Sequence, residues 1–75
     1  MHFKNIEYVQ LKDWKVVSVY DNGKAVVISP RDKIADVLKE KFRVTEVKNI
    51  WKGQDVHIEY KDKEKFIKEI KEVLG

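Results

Sequence analysis

The sequence predicts an α+β domain of order β-(ββα)-(ββα), in which a mostly antiparallel sheet of about five strands carries two helices on one face. Three observations predict it. Stretches around residues 3–11, 14–29 and 43–60 carry strand-like apolar patterning. Turn signals at Asn22-Gly23 and Lys52-Gly53 divide the latter two into hairpins. Each hairpin is followed by a segment with apolar residues at helical spacing, "SPRDKIADVLKEKF" and "KDKEKFIKEIKEVLG".

In the first strand, "FKNIEYVQL", Ile6 and Tyr8 point to one side, toward the expected core, and Glu7, Val9 and Leu11 to the other. Lys12-Asp13 makes a tight reversal into Trp14. "KVVSVYD" and "KAVVIS" then flank Asn22-Gly23, which suits a type I′ turn because both central residues of that turn need positive φ. This register sets Val19 opposite Val26 and Val17 opposite Ile28. One face is then Val17, Val19, Val26 and Ile28. The other is Trp14, Val16, Ser18, Tyr20, Ala25, Val27 and Ser29, without a charge.

The first helix is expected to start at Ser29 as cap, with Pro30 at the first helical position and Asp32 completing a capping box. Ile34, Val37, Leu38 and Phe42 form its apolar stripe. A strand "RVTEVKNIW", a turn "KGQD" and a strand "VHIEY" follow. Pairing Trp51 with Val56, Asn49 with Ile58 and Val47 with Tyr60 places Lys48 opposite Glu59, a favourable cross-strand pair. Phe66, Ile67, Ile70, Val73 and Leu74 stripe the last helix, with Glu64–Lys68, Lys65–Glu69 and Lys68–Glu72 at i,i+4. "AVVISPRDK" and "DVHIEYKDK" share a strand, a basic residue and Asp-Lys, a short match that two ordinary hairpin–helix units produce by chance as readily as a divergent duplication does. The rival to an open sheet is a curled one closing into a barrel around Trp14 and Val16.

A chain of 75 residues has room for one domain, spanning residues 1–75, and with no cysteine it has neither disulfides nor thiolate metal sites. Charged residues make up 39% of the chain, and their Lys/Glu bias is that of heat-adapted proteins with surface ion pairs, which points to a thermophile. Size, charge bias and lack of cysteine resemble small proteins of archaea and their viruses in general. "MHFKNIEYVQ" lacks the basic region and apolar core of a signal peptide, and no window is long and apolar enough to span a membrane. An intracellular, cytoplasmic protein is expected.

Catalytic chemistry needs converging groups, and the inventory is thin. His2 stands near the start and His57 in mid-strand, neither in a metal-ligand spacing, and no glycine-rich phosphate loop exists. Nearly every Asp and Glu has a Lys at pairing distance, the pattern of a solvated face. No enzyme, metal or cofactor is expected. Ser29-Pro30-Arg31 reads as an ordinary capped helix start rather than a phosphate site.

With the helices on one face, the uncharged opposite face is expected to form an interface of Val9, Leu11, Trp14, Val16, Tyr20 and Val27, joining two copies into a homodimer. A formal charge of +3 and exposed rings suit sequence-tolerant binding of DNA or RNA. Lys24, Arg31, Arg43, Lys48 and Lys52 are its candidate basic residues, with Trp14, Tyr20 and Trp51 as candidate rings unless Trp51 is core, and charge reversal at Lys24 and Lys52 together is expected to abolish it. The alternative is a protein–protein adaptor or complex subunit that uses the uncharged face on another partner.

Overall fold

The structure, a computed structural model, describes residues 5–75, with side chains from residue 7 onward. His2 and the expected strand start at Phe3 lie outside the described residues, as does the side chain of Ile6. The elements run β1 (Asn5–Gln10), a 3₁₀ turn (Lys12–Trp14), β2 (Val16–Tyr20), β3 (Lys24–Ser29), α1 (Ala35–Lys41), β4 (Arg43–Ile50), β5 (Gly53–Glu59) and α2 (Lys63–Leu74). The order β-(ββα)-(ββα) is therefore the one the sequence predicts. All strands pair antiparallel in the spatial order β1-β2-β3-β5-β4, so α1 carries the chain over β5 to reach the outer edge. The sheet is open, with edges at β1 and β4, which overturns the barrel alternative.

The β2–β3 hairpin departs from the expected register by one residue. Val19 faces Ala25, and Val17 faces Val27. Gly23 takes φ 81 while Asn22 keeps a negative φ, which excludes a type I′ turn and leaves a three-residue loop, Asp21 to Gly23. Asn22 Oδ1 accepts from the Lys24 amide at 3.1 Å within that loop. A one-residue slip moves every side chain to the opposite face. Ala25 and Val27 therefore join the core, and Val26 and Ile28 turn outward. β1 flips too, with Val9 opposite Val17 in the core and Tyr8 at 72% exposure on the outside.

The second hairpin turns tightly at Trp51-Lys52, pairing Ile50 with Gly53, Val47 with Val56 and Lys48 with Asp55. The expected four-residue turn is thus wrong, and the Lys48–Glu59 pairing is replaced by Arg43 opposite Glu59. The faces of β5 survive, because the shift is even over residues 46–50 and the bulge between Val44 and Glu46 takes up the odd step that follows. Val56 and Ile58 point inward, and His57 lies on the reverse face.

The core lies between one sheet face and the helices. It is built from Val9, Leu11, Val17, Val19, Ala25, Val27, Val56 and Ile58 of the β1–β5 region, with Ile34, Ala35, Leu38, Phe66 and Ile70 from the helical side. Each fully buried large side chain contributes about 1.5–3 kcal/mol. Val37, expected on the α1 stripe, is exposed. On α2, Asp62 accepts from the Lys65 amide at 3.2 Å and caps the helix.

The first helix begins at Ala35, later than expected. Ser29 is spent elsewhere: its hydroxyl donates to the Asp32 carbonyl at 2.6 Å and accepts from the Asp32 amide at 3.3 Å. The helix start is capped from the sheet, where Gln54 Oε1 accepts from the amides of Ile34 and Ala35, each at 3.0 Å. The i,i+4 charges of α2 are not closed into ion pairs among the described residues; the pairs present involve Lys15, Arg43 and Lys48.

Candidate nucleic-acid interface

One end of the sheet gathers the β1–β2 turn, the β3–α1 loop and the β4–β5 turn. In the first, Leu11 and Lys15 are buried on either side of an excursion. The Leu11 amide donates to the Lys15 carbonyl at 2.8 Å, closing it. Within it, Asp13 and Trp14 both take left-handed backbone, φ 58 and 68, at a cost of about 1–3 kcal/mol each. The buried flanks hold the strain in place. Lys15 folds its ammonium onto Asp32 at 3.2 Å and Asp13 at 3.7 Å, tying the turn to the β3–α1 loop. The outcome is an indole at 64% exposure, with the Arg31 guanidinium 5.5 Å from its ring centre.

The β4–β5 turn presents Trp51 at 94% exposure, with the Lys52 ammonium 5.0 Å from the ring centre. Gly53, next in the chain, lies beneath the main chain of Ser29 and Pro30, so this turn and the loop that carries Arg31 are in direct contact. Among the described residues neither Arg31 nor Lys52 has a carboxylate partner. Two exposed rings and two unpaired cations thus share one end of the sheet.

The five basic residues expected to act together fall into separate places. Lys24 and Arg43 flank Glu59 in one cross-strand row at the opposite end, with Arg43 Nε 3.9 Å from Glu59. Glu59 is six residues along β5 from Gly53, or about 20 Å in extended chain. Lys48 faces Asp55 across the β4–β5 ladder and pairs with Glu46 at 3.8 Å. Only Arg31 and Lys52 stand beside exposed aromatics.

The expected interface patch is corrected as well. Val9, Leu11 and Val27 are buried under the helices because β1 and β3 are flipped relative to expectation. The uncovered face instead carries Tyr8, Val16, Ser18, Tyr20, Lys24, Val26 and Ile28 on β1–β3, then Asp55, His57, Glu46 and Lys48 on β5 and β4. Trp14, Val16 and Tyr20 keep the outward placement expected of them, Trp14 at the rim.

Other chemistry is sparse among the described residues. No group of three or more His, Asp or Glu converges as a metal site. Asp55 Oδ1 is buried without a hydrogen-bond partner, on the same strand face as His57. An open cleft of about 380 Å³ between the start of β4 and the start of α2 is floored by Phe42, Tyr60 and Phe66, with charges of both signs around it.

At this cleft the Tyr60 hydroxyl donates to the Tyr20 carbonyl, and the Tyr60 amide donates to the Gly23 carbonyl at 2.8 Å. Burial pushes the phenol above its ordinary 10.0 and the Asp21 carboxylate adds to the rise, while the Gly23 backbone, as a hydrogen-bond donor to the phenol oxygen, opposes it. The folded state thus prefers the protonated phenol. Its contribution to stability is complete below about pH 10 and is lost as pH rises through the folded-state pKa. Melting curves from about pH 9 to 11 are expected to show wild type losing its advantage over Tyr60→Phe as pH rises. A constant difference across that range would contradict this.

No protein-family model, no curated protein and no solved structure matches this chain. Fold and site define it as a small α+β domain with a tryptophan-bearing sheet end. Sequence reasoning placed Trp14 on the interface and also, with Arg31, among the candidates for nucleic-acid contact, but it did not pair the two. Their contact spans the β2–β3 hairpin and leaves no local signal. The Trp51-Lys52 juxtaposition, by contrast, is legible from adjacency alone.

Proposed function

We propose that this protein is a non-catalytic, intracellular binder of nucleic acid with no sequence preference, acting through the end of the sheet that bears Trp14 and Trp51. The observation that carries the reading is the pair of exposed indoles, each beneath a cation without a carboxylate partner among the described residues. Rings stack on bases of any identity, and Arg31 and Lys52 neutralise phosphates. Sequence tolerance follows because no helix stands ready for a groove: α1 has seven residues, and the outer face of α2 alternates Glu and Lys. Lys24, Arg43 and Lys48 contribute less, since Glu59 and Glu46 neutralise two of them and Lys24 lies at the far end.

Retention on DNA or RNA at about 50 mM salt, falling steeply as salt rises, tests the reading. Arg31→Glu with Lys52→Glu is expected to abolish retention with an unchanged melting curve. Lys24→Glu alone lowers the salt slope by at most about one unit. Absence of wild-type retention at low salt would refute the proposal.

A second reading, contact with protein, is favoured by the apolar stretch of the uncovered face on β1–β3, where Lys24 at the far end of β3 is a charge, and the first partner in view is a second copy of this chain. Light scattering on the same preparations at micromolar concentration tests it. A homodimer that dissociates on Ile28→Glu supports it, and a wild-type monomer excludes it.

A further inference from the structure

We infer that the nucleic acid taken at this end is single-stranded, with Trp14 and Trp51 each stacking an unpaired base and Arg31 meeting the phosphates between them. The inference rests on the nucleic-acid reading above and narrows its ligand class. It is carried first by ring exposure. An indole exposed to 94%, as Trp51 is, offers a face on which an unstacked base can stack. In a duplex those base faces are already stacked on one another.

Shape points the same way. Reading a duplex requires a helix or a projecting two-stranded ribbon able to enter a groove about 12 Å wide. Here the β4–β5 connection is only Trp51 and Lys52, and both strands of its hairpin belong to the body of the sheet. The three segments at this end form a rim, with no finger standing out from it.

Spacing adds a third constraint. The β1–β2 turn and the β4–β5 turn are three strand intervals apart in the sheet order, about 14 Å at the usual spacing of about 4.8 Å. Neighbouring bases of a helical stack are about 3.4 Å apart, so bases on the two rings cannot be stacked neighbours. A single strand drawn across the rim meets Trp14, then the β3–α1 loop with Arg31, then Trp51 and Lys52. The cation over Trp14 therefore falls between the two rings. The backbone that carries each ring is set before the strand arrives, at Trp14 by its left-handed turn and at Trp51 by the close seating of the adjoining Gly53.

The chain contains two tryptophans, and both are at this site, so intrinsic fluorescence reports on it directly. Trp14→Phe and Trp51→Phe each leave one reporter. Wild type and both variants are titrated with an oligothymidylate of about 12 nucleotides, with a blocked-end duplex of equal charge, and with anionic vesicles, at about 50 mM salt. The oligothymidylate is expected to quench both reporters and to bind at least about tenfold tighter than the duplex. Trp14→Ala and Trp51→Ala are each expected to weaken it about tenfold, with melting unchanged. Duplex binding of equal strength, or retention with either reporter silent, overturns the single-strand inference and leaves nucleic-acid binding standing. No retention of either polymer, or a response to vesicles alone, overturns both.

Discussion

Gly53→Ala is expected to destabilise the domain by about 3 kcal/mol or more, the largest loss from removal of a single glycine in this chain. A methyl group at Gly53 would lie 2.7 Å from the carbonyl carbons of Ser29 and Pro30 and would overlap the Ser29 carbonyl oxygen. Those are main-chain atoms of a segment pinned by the Ser29–Asp32 hydrogen bonds, so they cannot swing aside as a side chain would. Relief requires lifting the β3–α1 loop, which also pulls Ile34 and Ala35 away from Gln54. For a domain of this size, about 1 kcal/mol moves the melting temperature by about 4–8 °C, so a fall beyond about 12 °C is expected. Gly23→Ala is the control. Its obstacle is the left-handed φ of 81, with the nearest atom, the Tyr60 carbonyl oxygen, at an ordinary 3.4 Å, and its cost is about 1 kcal/mol. Equal losses at the two glycines would show that the loop does not press on Gly53.

Phe66→Ala is expected to cost about 3–5 kcal/mol. The ring is 4% exposed and bridges three elements. It meets Phe42, just beyond α1, edge-on at 5.4 Å and stacks against Tyr60, just beyond β5, at 5.3 Å. Aromatic pairs of this kind add about 0.5–1.5 kcal/mol beyond area burial. Removing the ring joins its volume to the neighbouring open cleft, so water enters and the loss falls toward the lower end of that range. Phe66→Leu, which keeps apolar volume and loses both ring contacts, should recover more than half. Urea unfolding curves of the three proteins measure both numbers. A loss below about 1 kcal/mol for the alanine variant would mean that α2 is not docked through this ring.

Why some of the fold was legible and some was not comes down to particular residues. The helices could be read because their apolar residues recur at helical spacing: Phe66 and Ile70 on α2, and Leu38 on α1 with Ile34 at its cap, are buried, while Val37 from the same stripe is exposed. The strand "KAVVIS" has no such property. Ala25 with Val27 and Val26 with Ile28 are both apolar pairs, the more apolar one facing outward, so hydrophobicity does not choose its face and the loop length decides. Asn22-Gly23 announces a hairpin but not whether one residue or two will take positive φ. The start of α1 was misplaced because the sequence signature of a cap, Ser29-Pro30, was real but served another turn, while the acceptor actually used, Gln54, arrives from 20 residues away. The site divides along the same line. Trp51 beside Lys52 is written in adjacent letters, whereas Trp14 beneath Arg31 exists only once the intervening hairpin is folded.

The spatial order of the strands has a consequence for how the chain comes together. β1 to β3 zip up locally, as do β4 and β5, but the two sets meet along a single seam that pairs residue 24 with 59 and residue 29 with 54. Local hairpins close early; the seam must wait until the chain has doubled back over α1. Neither set is complete alone, because one core joins Val17, Val27 and Leu38 from one half to Val56, Ile58 and Ile70 from the other. Cooperativity of the whole domain is therefore decided at the seam. An open β3 seam is also indifferent to which copy of β5 arrives. At high concentration during refolding, two chains have a second way to form the same hydrogen bonds, each lending its latter half to the other.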